Sequence, residues 1–279
     1  MLKFLYVTDL HGSIPKYLTI QKFAQEQKID LIHLGADLLP KGSGILKEQK
    51  KFINGFLKDF YETCKKQNID VLASFGNDDI YSRKPYFKKY ATLLDEVPYQ
   101  KNGYEFKAYG FVPDYPFGLK TACKLDYNGW VCPDPYISRP VDCGPTGDLI
   151  EIPDVKKYFA EKGTIEDDLK KIQAANNTIM AIHVPPYYSD LDVCVGGRRV
   201  GSKSVYDWIK KQQPLLCLSG HIHENYSVTK VWQNKIGKTL VIQPGQTPET
   251  SDTVRFVLIA IKALIDHEIN AELIERQNT

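Results

Sequence analysis

Five short apolar runs, each followed by side chains that carry oxygen or nitrogen, constrain the fold of this chain more than any other feature. The runs are residues 4–7, 31–34, 71–75, 179–182 and 215–218. The clusters that follow them are Asp9-Leu10-His11, Gly35-Ala36-Asp37, Gly76-Asn77-Asp78-Asp79, His183 and Gly220-His221-Ile222-His223. Short aliphatic and β-branched runs predict buried strands. We therefore predict a sheet whose loops bring the polar clusters together at one edge.

The clusters contain a donor set typical of a two-metal centre. Asp9 and His11 are separated by one residue, so both are predicted to point to the same side of the chain, and the same holds for His221 and His223. The candidate metal ligands are Asp9, His11, Asp37, Asn77, His183, His221 and His223. Such carboxylate, amide and imidazole donors suffice for two ions that share one bridging carboxylate. Without thiolates, the set suits Mn, Fe, Zn or Ni and does not suit Ca.

Chance matches are the alternative to be weighed, because a single Asp-x-His or His-x-His is common. Four of the six histidines nevertheless fall inside the ordered clusters, which favours the dinuclear site. The other two are interpreted as structural. His33 lies within a predicted strand and is expected to be packed and hydrogen-bonded, whereas His267 lies in a polar stretch and is expected to be exposed.

The bulk composition indicates an ordinary globular chain in a reducing compartment. The 279 residues fit a single domain, and 43% hydrophobic content supplies a sizeable core. A net charge of +2 without long runs of one sign argues against nucleic acid as a partner. No signal-peptide pattern and no bilayer-spanning stretch are recognised, and the six cysteines form no Cys-x-x-Cys pair. We expect no membrane association, reduced thiols and a cytoplasmic location.

The order of patterns along the chain predicts alternating strands and helices. Helices are predicted over residues 14–27, 45–66 and 202–212, and strand patterns dominate 225–275. Residues 102–153 are rich in Tyr, Phe, Pro and Gly and are predicted to form a lid or substrate loop inserted in the domain. Two short helices should follow this insertion, because Gly163 interrupts the pattern and Thr164-x-x-Asp167 is similar to a capping box.

In this order, the clusters resemble the calcineurin-like metallophosphoesterase superfamily, whose blocks are Asp-x-His, Gly-Asp, Gly-Asn-His-Asp/Glu, a lone His and Gly-His-x-His. Residues 35–40, 116–120 and 201–203 are further similar to predicted phosphoesterases related to cyclic-nucleotide phosphodiesterases. The resemblance implies an α/β, four-layer α-β-β-α sandwich of two mixed sheets. The second sheet would come from residues after about Val97 and from the C-terminal strands.

The resemblance also implies how the ligands divide between two ions. One ion would be held by Asp9, His11 and His223. The other would be held by Asn77, His183 and His221, with Asp37 bridging the two sites.

The expected activity is metal-dependent hydrolysis of a phosphomonoester or phosphodiester of a small molecule or nucleotide. Two cations about 3.5–4 Å apart lower the pKa of a bridging water, so that a metal-bridging hydroxide can attack the phosphorus. A nuclease of the same superfamily is the nearest alternative. A non-catalytic docking module on the same fold is another, although such a module is expected to lose its metal ligands.

Departures from the superfamily pattern bear on the substrate. Asp78 stands where the usual motif has His, and it is expected either to act as a general acid with a raised pKa or merely to order the loop. Asp79 is expected to orient its neighbours. Two further sets of residues are candidates for substrate binding. Arg198, Arg199 and Lys203 precede a helix N-terminus and are expected to form either an anion clamp or a solvated basic turn. The aromatic rings expected either to stack on a base or to pack on their own domain are Tyr104, Tyr109, Phe111, Tyr115 and Phe117.

Overall fold

The computed structural model describes residues 1–144, 147–262 and 268–278. The strands formed by these residues are β1 (Leu2–Val7), β2 (Leu31–Leu34), β3 (Asp70–Ala73), β4 (Thr92–Leu93), β5 (Tyr99–Lys101), β6 (Tyr104–Tyr109), β7 (Val112–Pro113), β8 (Cys123–Lys124), β9 (Val141–Cys143), β10 (Leu149–Glu151), β11 (Thr178–Ile182), β12 (Leu216–Leu218), β13 (Gln233–Ile236), β14 (Thr239–Ile242), β15 (Thr253–Lys262) and β16 (Glu268–Gln277). The α-helices are α1 (Ile14–Glu26), α2 (Ile45–Phe52), α3 (Lys58–Lys66), α4 (Lys84–Phe87), α5 (Val155–Lys162), α6 (Ile165–Leu169), α7 (Lys203–Gln212) and α8 (Asn225–Thr229).

The first sheet has the strand order β16-β15-β1-β2-β3-β4. Its strands β1 to β4 are parallel, whereas β15 is antiparallel to β1 and β16 is antiparallel to β15. The expectation that the C-terminal strands join the second sheet is therefore wrong for β15 and β16. The ten-residue strand β15 is apolar along most of its length and hydrogen-bonds the free edge of β1, from Leu2↔Ile261 to Tyr6↔Val257.

The second sheet has the order β13-β14-β12-β11-β6-β5, with four parallel central strands and antiparallel strands at both edges. Both sheets are mixed, as predicted. Strand β6 pairs with β11 from Thr178↔Glu105 to Ile182↔Tyr109, so the beginning of the predicted insertion belongs to this sheet. The segment outside the two large sheets starts at about Gly110, and the pairs β7–β8 and β9–β10 lie within it.

Four layers result from the packing of these elements. Apolar side chains of the two sheets meet in a shared core, in which the Phe4 and Phe106 rings contact each other edge to face at 5.4 Å. The helices α1 to α3 cover the outer face of the first sheet, and α5 to α7 cover that of the second. Each fully buried aliphatic or aromatic side chain contributes about 1.5–3 kcal/mol to such cores. The predicted α-β-β-α sandwich is confirmed.

The helices agree closely with the sequence patterns. Residues 45–66 form one continuous helical run, in which the π-helical turn Ile53–Leu57 joins α2 to α3. Half of the predicted capping box is present, because the Thr164 hydroxyl accepts the Asp167 N–H and caps α6. The Asp167 carboxylate accepts the Thr164 hydroxyl, whereas a capping box has it accept the Thr164 backbone N–H. Among the helices of the described residues, none is both long and apolar enough to traverse a bilayer.

The predictions for His33 and His267 fare differently in the structure. His33 is fully buried between the Tyr6 and Phe106 rings, so its packing is confirmed. Neither of its ring nitrogens has a hydrogen-bond partner among the described residues, so the expected hydrogen bond is wrong. His267 lies outside the described residues.

Candidate metal centre

The loops that follow β1, β2, β3, β11 and β12 meet at one edge of the sandwich. Backbone hydrogen bonds fix the first two of these loops, because the Asp9 N–H donates to the Ala36 carbonyl and the His11 N–H donates to the Asp37 carbonyl, both at 2.9 Å. The Tyr6 hydroxyl links the two sheets by donating to the Ser219 carbonyl at 2.9 Å. The structure thereby brings all seven predicted ligands to one place.

One ligand group consists of Asp9, His11 and His223, whose donor atoms all lie within 4.8 Å of one another. The Nε2 atoms of His11 and His223 face each other at 3.1 Å, and His223 Nε2 lies 3.6 Å from Asp9 Oδ1. This is the first set that the sequence resemblance implies.

A second ligand group consists of Asp37, His183 and His221, again with donor atoms within 4.8 Å of one another. Asn77 completes it, since its Oδ1 atom lies 3.1 Å from His183 Nε2 and 2.9 Å from His221 Nδ1. Asp37 Oδ2 lies 3.2 Å from His183 Nε2. This is the second implied set.

Asp37 connects the two groups. Besides its place in the second group, it forms a third group within 4.8 Å together with His11 and Asp78, and His11 is a member of the first. A carboxylate that lies between two sets of imidazoles is in the position of a bridging ligand.

The ligands sit on unusual backbone that sequence patterns do not reveal. Asp9, His11, Asp37 and His221 all have left-handed conformations, with φ of 58°, 43°, 51° and 70°. A non-glycine residue in such a conformation costs of the order of 1–3 kcal/mol and persists only where its surroundings enforce it. Here the Asp9 carboxylate accepts the His221 N–H at 3.1 Å, which ties two of these residues together.

Gly220 is required by the close approach of its neighbours. A Cβ atom at this position would lie 2.3 Å from Thr8 Oγ1 and 2.6 Å from Asp9 Oδ2. The glycine of the Gly-His-x-His block therefore leaves room for a ligand carboxylate and carries no ligand itself.

The comparisons with known proteins agree with this geometry. The profile of the calcineurin-like phosphoesterase family matches residues 2–225. The chain belongs to this family. Among solved structures, TT1561 of Thermus thermophilus is 16% identical, with 91% of this chain and 93% of that chain covered and a TM-score of 0.50. A dimetal phosphatase from Danio rerio is 10% identical, with 100% and 99% covered and a TM-score of 0.52. At these identities the likeness shows the fold alone, and no curated protein sequence matches significantly.

The donor set fits the divalent ions that calcineurin-like phosphoesterases generally bind. Burial lowers the pKa of His11 to about 4 and that of His221 to about 3, so both imidazoles are neutral and have a lone pair free for a metal. Burial opposes ionisation of Asp37 and His183, but each charge stabilises the other, so the pKa of Asp37 lies well below its usual range and that of His183 is raised to about 9. Facing nitrogens and an ionised carboxylate in a buried cleft are complementary to cations.

Asp78 and Asp79, the two acidic residues after Asn77, occupy different environments. The Asp79 carboxylate is fully buried and accepts the N–H groups of Leu38, Leu39 and Gly76 at 2.9–3.2 Å, so it braces the loops that carry Asp37 and Asn77. Asp78 reaches the cleft. Its Oδ1 accepts the Asn77 side-chain N–H at 3.0 Å, and its Oδ2 lies 3.8 Å from His11 Nδ1. Desolvation and the Asp37 charge raise the pKa of Asp78 to about 7.

The predicted anion clamp differs from the sequence expectation in one respect. The N–H groups that begin α7 are not exposed, because the Asp126 carboxylate accepts the Lys203 N–H at 2.8 Å and Ser202 caps the helix. That part of the prediction is wrong, since an acidic residue distant in sequence already occupies the helix N-terminus. Arg198 pairs with Asp134, Arg199 pairs with Asp190 and Asp192, and Lys203, which is 63% exposed, lies 3.6 Å from Asp207.

The sequence did not indicate one residue near the centre, Lys41, or one contact there, between Tyr115 and His221. Lys41 pairs with Glu249 at 2.8 Å, and its charge acts on Asp37, Asp78 and His11. It follows Asp37 by four residues, which is the only sequence clue. Tyr115 stacks on His221 with ring centroids 5.5 Å apart. Tyr115 is among the stacking candidates of the sequence analysis, but its contact with a candidate metal ligand was not predicted.

Proposed function

We propose that this calcineurin-like phosphoesterase is a hydrolase with a dinuclear metal centre that cleaves a phosphomonoester or phosphodiester. The position of Asp37 carries the proposal, since it joins the His11 side of the cleft to the His183 and His221 side. Asp9, His11 and His223 would hold one ion, and Asn77, His183 and His221 would hold the other.

When bound, the two divalent ions supply Lewis-acid activation of water and of the phosphoryl group. Mn, Fe, Zn and Ni all suit the nitrogen and oxygen donors. The chain supplies orientation: Asp79 holds the two ligand loops together, and Asp78 accepts the Asn77 amide N–H, which leaves Asn77 Oδ1 facing His183 and His221. Lys41 lies near the same cleft, where its charge acts on Asp37 and Asp78, and it is paired with Glu249 at 2.8 Å.

A small phosphorylated molecule or a nucleotide is the proposed substrate, and we propose that it is hydrolysed in the cytoplasm. A net charge of +2 does not favour a duplex nucleic acid, whose binding depends on many cationic contacts. All six cysteines are unpaired, which is compatible with a reducing compartment. The complete ligand set supports catalysis in preference to a docking role.

The test compares p-nitrophenyl phosphate with bis-p-nitrophenyl phosphate as substrates of the manganese-loaded full chain. The control variant is Asp37→Asn, because asparagine tolerates the left-handed backbone at this position and has nearly the same shape. Metal content is measured on the same samples. We expect the natural sequence to bind two ions per chain and to turn over substrate. The variant should lose both the metal ions and the turnover.

The ratio of monoester to diester rates then selects the compounds to screen. Full metal occupancy without turnover of either ester would contradict the hydrolase proposal and favour the docking module. Turnover that survives Asp37→Asn would contradict the bridging role.

A further inference from the structure

A cavity of about 260 Å³ lies beside the metal centre, between the segment that follows β6 and the loop that precedes α7. We call it the aromatic cavity, and its aromatic walls are Tyr115, Tyr127, Trp130 and Tyr187. The larger cavity of about 520 Å³ that includes Ile69 and Asp70 lies at the amino end of β3, away from the edge that carries the ligands.

Tyr115 is shared by the aromatic cavity and the metal centre. Its ring stacks on His221 at 5.5 Å with the planes 22° apart, and its hydroxyl donates to the Val200 carbonyl in the opposite wall. A second connection runs along the chain, because Tyr187 follows His183 by four residues and its N–H donates to the Ser202 carbonyl at 3.0 Å. Tyr115 thus contacts His221 and also lines the cavity, so the cavity lies one ring away from a candidate metal ligand.

The charges around the aromatic cavity do not favour a second phosphate. Arg198 is neutralised by Asp134, Arg199 is neutralised by Asp190 and Asp192, and Lys203 lies 3.6 Å from Asp207. The helix N-terminus nearby is occupied by the Asp126 carboxylate. These pairs leave planar guanidinium and aromatic faces without a surplus of positive charge.

Planar faces without net charge bind planar, uncharged rings. Tyr127 and Trp130 already contact each other edge to face at 5.7 Å, and Lys203 lies 5.5 Å from the Tyr127 ring centre. Stacking on such side chains contributes about 1–3 kcal/mol per nucleobase, and it needs no specific hydrogen bonds. The small volume suits a ring system and excludes a polymer.

We infer that the aromatic cavity binds the aromatic ring on the leaving-group side of the substrate. The substrate class is thus a phosphoester whose released alcohol carries an aromatic ring, either a nucleobase or a simple aryl group. This inference rests on the proposed function, and it assigns the cavity between Tyr115 and Arg198 as the specificity site.

The kinetic test compares adenosine 5′-monophosphate with ribose 5-phosphate on the manganese-loaded full chain. Both esters release a primary alcohol, so their ratio of kcat/KM isolates the contribution of the base. We expect a preference for the nucleotide that falls about tenfold in Tyr127→Ala, the loss of one stacking contact. Tyr127→Phe should restore the preference, because it keeps the ring. The matched control Tyr86→Ala, in α4 on the side of the first sheet, should not change it.

The second test requires no turnover. Adenosine and phenol are titrated separately into the metal-free full chain, and quenching of the tryptophan fluorescence is recorded. The chain also contains Trp208 and Trp232, so the signal from Trp130 is taken as the part of the quenching that is lost in Trp130→Phe. Saturable quenching that is weakened by Tyr127→Ala supports the assignment of the cavity as a ring-binding site. Binding of adenosine identifies a nucleobase site, and binding of phenol alone identifies an aryl site. Failure of both ligands to bind overturns the inference. Equal kcat/KM for the two phosphates also overturns it unless phenol alone binds, which identifies the aryl site. Binding without hydrolysis of p-nitrophenyl phosphate would instead contradict the proposed function and leave the cavity assignment standing.

Discussion

Gly76 packs against the Asp37 carboxylate so closely that a methyl group added at Gly76 would lie 2.2 Å from Asp37 Oδ1. The same methyl group would lie 2.8 Å from the Asp37 backbone nitrogen, so it could not be accommodated by rotation of the carboxylate alone. Gly76→Ala should therefore displace the proposed bridging ligand. We expect metal affinity and turnover to fall by about 10–100-fold, as for other changes that disturb the support of a ligand.

The matched control for this prediction is Gly55→Ala. Gly55 lies in the π-helical turn Ile53–Leu57, and a methyl group there would meet nothing within 4 Å. This change should leave metal content unaltered and stabilise the fold by about 0.5–1 kcal/mol. Metal analysis and urea unfolding of both variants provide the comparison, and normal metal content in Gly76→Ala would refute the steric argument.

His33 predicts a specific dependence of stability on pH. Burial lowers its pKa from 6.5 to about 3, because no group replaces the water that would solvate the imidazolium. The unfolded chain therefore binds a proton between about pH 6.5 and 3 that the folded chain does not, and the free energy of unfolding falls as the pH falls through this window. At pH 5 the loss amounts to about 2 kcal/mol.

The variant His33→Leu removes this contribution. The free energy of unfolding of the variant and of the natural protein is measured with urea at pH 7 and at pH 5. From pH 7 to pH 5, the variant should gain about 2 kcal/mol in stability relative to the natural protein. The ligand histidines titrate in both proteins, so their effect cancels in the difference. An unchanged difference at the two pH values would mean that His33 binds a proton equally well in the folded and the unfolded chain.

Lys120 and Asp114 form a buried ion pair in the segment of chain between β6 and β11. The ammonium group lies 2.7 Å from Asp114 Oδ1 and donates to the Tyr115 carbonyl at 2.5 Å, with neither charged side chain more than 3% exposed. Lys120→Met leaves the carboxylate buried with the Tyr136 hydroxyl as its remaining side-chain donor. We expect a loss of about 3–5 kcal/mol in urea unfolding.

A double variant separates the unpaired charge from the lost packing. Lys120→Met combined with Asp114→Leu removes both charges, and it should recover most of the lost free energy. If the single and double variants are equally unstable, the cost arises from packing around Tyr115 and not from the charge.

Much of the fold and ligand set was predictable from sequence, because short apolar strands and the polar residues behind them are local patterns. Asp9, His11 and His223 were assigned from spacing and resemblance, and the structure places them together. The pairing of β15 with β1 was not predictable in the same way. It joins segments some 250 residues apart, and either sheet offers an edge that an apolar strand can complete.

Long-range helix capping and backbone strain account for the other differences between the sequence predictions and the structure. Asp126 fills the N-terminus of α7 from 77 residues away, and no local pattern indicates such a contact. The left-handed backbone at Asp9 and Asp37 is likewise enforced by neighbouring loops and not by residue type. A local motif can predict which atoms bind a metal, but only the assembled loops show how those atoms are held.

Asp78 offers the sharpest test of how the centre is organised. Its carboxylate accepts the Asn77 side-chain N–H at 3.0 Å, and its backbone N–H donates to Asp37 Oδ1 at 2.8 Å. These contacts predict that the side chain orients Asn77 toward His183 and His221. Asp78→Ala should lower metal affinity by about 10–100-fold, whereas Asp78→Asn should keep it, because an amide oxygen still accepts the Asn77 N–H.

The leaving group distinguishes this role from general-acid catalysis. An orienting residue lowers the rates of alkyl and p-nitrophenyl esters equally, since its loss acts before any proton transfer. A general acid matters far more for the alkyl ester, whose alkoxide is a poor leaving group, and asparagine could not replace it. We expect equal losses on the two ester types in Asp78→Ala and near-normal rates in Asp78→Asn. A selective loss on alkyl esters in both variants would instead identify Asp78 as the proton donor.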